Sequence, residues 1–148
     1  MRVVIGYGLA VICSYIVGAV LVSQGNISSI VELGFEITLE QRFDAANHDI
    51  MNMYGIYLPL IAIALLIAFA VAAFVIRRVP HLRLLGYILA GFVGMIAIHV
   101  ILKQVLGLSG IAPTRTLLGL FAQGIAGALG GYSFCWVTQQ NESDRSSG

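Results

Sequence analysis

The stretch GYILAGFVGMIAIHVILKQVLGLSGIAPTRTLLGLFAQGIAGALGG, residues 86–131, decides the fold. It consists of two apolar segments that carry strongly polar side chains inside apolar sequence. Steps of four through the first segment meet Gly91, Met95, His99 and Lys103. The same step through the second meets Arg115, Gly119, Gln123, Gly127 and Gly131. On α-helices each series forms one stripe, because residues four apart sit nearly above one another. A cationic, glycine-lined seam in hydrocarbon is costly, so it marks a candidate site.

The rest of the chain supports a membrane setting. Of 148 residues, 59% are hydrophobic and 10% charged, and the mean hydropathy is +0.93. A soluble domain of this length has too little interior for so much apolar side chain. Four apolar runs, near 3–23, 54–76, 84–106 and 114–137, each match the roughly 20 helical residues that cross a bilayer core. The expected architecture is an all-α integral membrane protein with one four-helix transmembrane domain over residues 1–137. The polar residues 138–148 read as a disordered tail. Residue 1–23 chemistry, with one basic residue and no A-x-A pattern, reads as a retained first helix rather than a cleaved leader.

Net charge is +1, which gives no basis for nucleic-acid binding through bulk charge. Its distribution is more informative. The loop over residues 24–53 holds Glu32, Glu36, Glu40, Asp44 and Asp49 against Arg42 alone. The loop between the second and third runs holds Arg77, Arg78, His81 and Arg83. The positive-inside rule places that basic loop, and with it both termini, on the cytoplasmic side, as in a bacterial inner (plasma) membrane. Cys13 and Cys135 lie in the first and fourth runs without a C-x-x-C pattern, so they read as small packing residues.

Residues 30–46 of the acidic loop have the spacing of an amphipathic helix. Glu32, Glu36, Glu40 and Asp44 form an acidic stripe that His48 would extend, beside an apolar stripe of Val31, Phe35, Leu39 and Phe43. Ser28 or Ser29 is the expected N-cap. An acidic polar face is repelled by anionic lipid, so the helix is expected to dock its apolar face on the outer end of the bundle. There Glu40, Asp44, His48 and Asp49 would support Lys103 and Arg115. His48 and Asp49 project about 100° apart on a helix, which argues against a metal site.

Tyr54 and Tyr57 fit an interfacial aromatic belt, and Pro59 interrupts the hydrogen bonding of the second run. Gly86, Ala90 and Gly94 form a small-xxx-small face, as do Gly127 and Gly131. Such faces suit close helix packing, within the chain or in a homo-oligomer or larger membrane complex. The short loop 107–112 makes the third and fourth runs antiparallel neighbours. Pro113 can start the fourth, with Thr114 or Thr116 satisfying its first amides.

No Walker A loop, G-x-S-x-G, H-E-x-x-H or nucleophile–base pair occurs. The pattern calls for no cofactor, and a haem b would need His48 beside His99. The reading that follows is a non-catalytic binding or accessory subunit. Its outward-facing pocket, lined by His99, Lys103, Arg115 and Gln123, would hold an anionic group: a lipid headgroup, a quinone-like ligand or a partner carboxylate. The alternatives are a small oligomeric transporter or channel using the His99–Gln123 seam, and a membrane enzyme with His99 as acid and base.

Overall fold

The computed structural model describes residues 1–106 and 116–146. Five helices account for nearly all of them: α1 (Arg2–Glu32), α2 (Leu39–Asn52), α3 (Tyr54–Ile76), α4 (Arg83–Leu106) and α5 (Leu117–Ser146). A short 3-10 turn, Pro80–Leu82, joins α3 to α4. Four of the helices, α1, α3, α4 and α5, are long and apolar enough to cross a membrane. The chain is therefore read as an integral membrane protein.

Around the bundle α5 lies between α1 and α4, and α3 packs beside α4 and closes against α1. Neighbours run antiparallel. Along the α4–α5 contact Tyr87 meets Gly131 and Gly91 meets Gly127. Along α1–α5, Gly6 meets Phe134 and Gly18 meets Gln123. The core is a column of Ala10, Tyr15, Ile61, Leu65, Phe69, Met95, Phe134 and Cys135. At one end of it the rings of Phe69, Tyr87 and Phe134 pack mutually, with centroids 4.7 to 5.6 Å apart.

The glycine stripes expected from the sequence are the contact lines between helices. A Cβ on Gly91, Gly127 or Gly131 would overlap backbone carbonyl atoms of the facing helix. Gly94 similarly approaches Ala68, where an added Cβ would lie 2.8 Å from the alanine methyl. Both stripes are thus occupied inside the chain, α4 against α5 and α4 against α3. Close approach of this kind is how helices gain dispersion energy in lipid, where no hydrophobic difference drives them together.

The segment between the first two spans differs from the expectation of one helix over residues 30–46. First, α1 does not end near Ser23 but continues to Glu32. Gly34 then takes φ +93°, a conformation that costs glycine nothing and ends helices in this way. The next helix begins at Leu39, with Thr38 as N-cap in place of Ser28 or Ser29. The Thr38 hydroxyl accepts from the Gln41 amide at 3.3 Å, and the Gln41 side chain accepts from the Thr38 amide at 2.9 Å, a reciprocal capping box. Ser28 and Ser29 instead donate back to the Gln24 and Gly25 carbonyls of α1.

The break splits the acidic stripe, leaving Glu32 on α1, Glu36 in the connection, and Glu40 and Asp44 on α2. Nor is the apolar stripe docked on the bundle. Phe35 is 62% and Phe43 75% exposed, and Ala46 is the buried residue of α2. What holds α2 is its opposite side, which runs antiparallel along α1 from Gln24 back to Tyr15. Gln24 and Arg42 exchange two hydrogen bonds of 3.2 and 3.3 Å, and the Tyr15 hydroxyl donates to the Ile50 carbonyl.

At the other terminus, α5 passes through Thr138 as helix to Ser146, where a disordered tail was expected. Gln, Glu and Arg in that stretch are adequate helix formers, so a formed helix propagates into them at little cost. At its start the Thr116 hydroxyl accepts from the Gly119 amide at 3.0 Å, the helix-end role expected of Thr114 or Thr116. Thr114, Pro113 and the loop 107–112 lie outside the described residues.

Candidate polar site

A buried polar cluster occupies the level of the bundle where α1, α3, α4 and α5 all meet. Its centre is Gln123 of α5, 1% exposed. The Gln123 Nε2 donates to the Gly18 carbonyl of α1 at 3.1 Å, and its Oε1 accepts from the Tyr57 hydroxyl of α3 at 2.5 Å. One amide therefore ties three helices together. Gly18 leaves room for this approach: a Cβ there would lie 2.9 Å from the Tyr57 oxygen and 3.0 Å from Oε1, and the two side-chain ends would have to shift to admit it.

Beside the pair stands His99 of α4, itself 5% exposed. Its ring meets Tyr57 edge to face, with centroids 5.9 Å apart, and Tyr57 in turn contacts Tyr15 at 6.0 Å. The His99 Nδ1 lies 2.7 Å from the Met95 carbonyl. A carbonyl oxygen accepts and cannot donate, so Nδ1 carries the hydrogen. In the neutral ring Nε2 then presents a lone pair, and this buried atom has no hydrogen-bonding partner among the described residues. The hydroxyls of Ser14 and Ser23 are also buried without partners. Groups of this kind cost free energy in proportion to what water would have given them.

Of the four pocket residues anticipated from sequence, the structure brings His99 and Gln123 together through Tyr57. Lys103 is exposed one turn further along α4, about 6 Å by helical rise. Arg115 lies outside the described residues. Glu40, Asp44 and His48 are exposed on α2, and Asp49 is half-buried there. The Asn52 side chain donates to the His48 carbonyl at 2.7 Å, a local contact at the α2–α3 junction.

Neither Tyr57 nor Gly18 was expected in the site. Tyr57 resembled a belt residue like Tyr54, yet it is 3% exposed while Tyr54 is 62% exposed. The signal lay in the four-step series Tyr57, Ile61, Leu65 and Phe69, all of which face the core.

No family model, curated protein or solved structure matches the chain. Function is therefore argued from the site itself.

Proposed function

We propose that the protein is a non-catalytic binding or accessory subunit of a membrane, and that His99 receives the hydroxyl of a membrane-soluble ligand, quinol-like or a lipid headgroup. The observation that carries this reading is the buried, unpartnered Nε2 of His99. Its neighbours favour a binding role over a purely structural one. Gln123 and Tyr57 satisfy each other, whereas His99 uses one ring nitrogen on its own helix and holds the other in reserve. A hydrogen bond formed there, shielded from water, is stronger than the same bond in solvent. Lys103, one turn along α4 and exposed, supplies positive charge to any anionic group on the same ligand, and Arg115 joins it on sequence grounds.

The asymmetry of charge orients the reading. With Arg77, Arg78 and Arg83 in the cytoplasm, both termini are cytoplasmic, the membrane is the bacterial inner membrane, and the His99 level lies in its outer half.

The test uses purified protein and a short-chain ubiquinol beside its dimethyl ether, which keeps the ring but loses both hydroxyl donors. The quinol should raise the unfolding temperature of the wild type and not of His99→Leu, and the ether should do nothing to either. A His99-dependent response to phosphatidylglycerol in place of the quinol assigns the hydroxyl to a headgroup. Equal responses of wild type and His99→Leu to every probe overturn the reading.

A further inference from the structure

On the outer side of the α3–α4 contact, where small residues such as Gly94 and Ala68 bring the helices close together, lies an open groove with a cavity volume of about 480 Å³. Small residues set its floor, including Ala64, Ala68 and Ala72 of α3 and Ala90 and Gly94 of α4. Larger aliphatic side chains form its rims, Val71 on α3 and Val93 on α4 among them, each about three-fifths exposed (60% and 58%). On α3 the lining runs from Ile63 to Ile76, about 20 Å by helical rise. That is roughly two-thirds of a hydrocarbon core of about 30 Å.

The groove's end is as informative as its length. Val75, Ile76 and Gly86 line that end, and the turn between them carries Arg77, Arg78, His81 and Arg83. Arg77 and Arg78 are exposed, and the Arg78 guanidinium sits 5.5 Å from the centre of the Phe74 ring. Among the described side chains, the five carboxylates belong to residues 32–49, at the opposite end of the bundle. An apolar slot of acyl-chain length thus ends at Val75 and Ile76, next in sequence to the exposed Arg77 and Arg78.

We infer that this groove is a binding site for an anionic phospholipid, with one acyl chain lying between α3 and α4 and the phosphate held by Arg77 and Arg78. Neither half of the site selects alone. Any lipid chain fits the slot, and any arginine at a membrane surface attracts anionic lipid. Selectivity comes from their joining at Ile76 and Gly86, where a chain seated in the slot delivers its phosphate to the guanidinium groups. On α4 the lining runs from Gly86 to Ile101, past the level of His99. His99 itself is buried towards the bundle and is not among the lining residues, and the arginine turn lies more than about three helical turns from it.

Lipid retention by the detergent-purified full chain tests the inference, with phosphatidylglycerol and phosphatidylcholine of identical acyl chains as probes and native mass spectrometry as the readout. Phosphatidylglycerol should be retained preferentially, and the preference should fall about fivefold for each arginine removed in Arg77→Gln and Arg78→Gln. Val93→Trp fills the slot from its exposed rim and should weaken retention of both lipids. Ile12→Trp, on an exposed face of α1, should not. Equal retention of the two lipids by the wild type overturns the inference. So does a loss in Ile12→Trp matching that in Val93→Trp, or cross-linking that places a second copy of the chain in the groove.

Discussion

Gly91 of α4 and Gly127 of α5 meet backbone to backbone, each so close that a methyl group on either would overlap the other's carbonyl oxygen. The obstruction is peptide backbone, not the end of a flexible side chain, so the helices must separate to admit a Cβ. Separation would also loosen Met95, fully buried against Gly127.

Gly91→Ala and Gly127→Ala should therefore each destabilise the protein by about 1–3 kcal/mol or more, the range for forced overpacking. Gly8 offers a control on α1, since nothing lies within 4 Å of a Cβ there. Gly8→Ala should be neutral or stabilising by up to about 1 kcal/mol, because alanine is the better helix former. Thermal or chemical unfolding in one detergent measures all three.

These glycines were legible in the sequence because lipid reverses the usual signal. A span surrounded by hydrocarbon is apolar on every side, so hydrophobicity does not distinguish its inner face. Small and polar residues do, and His99, Gln123, Gly91, Gly127 and Gly131 all turned out to face the interior. Tyr57 escaped for the same reason, since a tyrosine near a span's end suits both the interface and a buried hydrogen bond. The segment between α1 and α2 departs from its periodicity on a different ground. Four-step spacing from Glu32 to Asp44 ran through Gly34 and through the Thr38–Gln41 capping pair, and those local signals prevail over periodicity.

That capping pair makes a second prediction. Thr38→Ala removes the acceptor for the Gln41 amide and should cost about 0.5–2 kcal/mol of local stability. Hydrogen exchange of amides 39–42 should quicken, while that of α3 stays unchanged. Uniform acceleration through both helices would show that α2 and α3 unfold as one unit.

Sidedness gives a third. Cysteine at Ser28, exposed near the end of α1, should react with an impermeant maleimide on intact cells. Cysteine at Arg78, exposed on the basic turn, should react only after permeabilisation. The native thiols interfere little, since Cys135 is buried and Cys13 half-buried. The opposite pattern would invert the orientation and place the His99 level in the inner half of the membrane.

The fourth prediction concerns the amide that joins three helices. Gln123→Leu deletes both of its hydrogen bonds and strands the Tyr57 hydroxyl, while the Gly18 carbonyl, inside α1, keeps its place in the helix ladder. Tyr57→Phe removes the hydroxyl alone and leaves Gln123 Oε1 without its donor. Each single change should cost about 1–3 kcal/mol, the penalty for a buried polar group left unpaired. The double variant should cost less than the sum, because removing both partners leaves no stranded Tyr57–Gln123 group. A coupling energy of about 0.5 kcal/mol or more from the double-mutant cycle would assign the interaction to that pair. Strict additivity would mean that the two side chains stabilise the bundle by packing alone, the Tyr57 ring against Tyr15 and His99 and the Gln123 chain against Gly18.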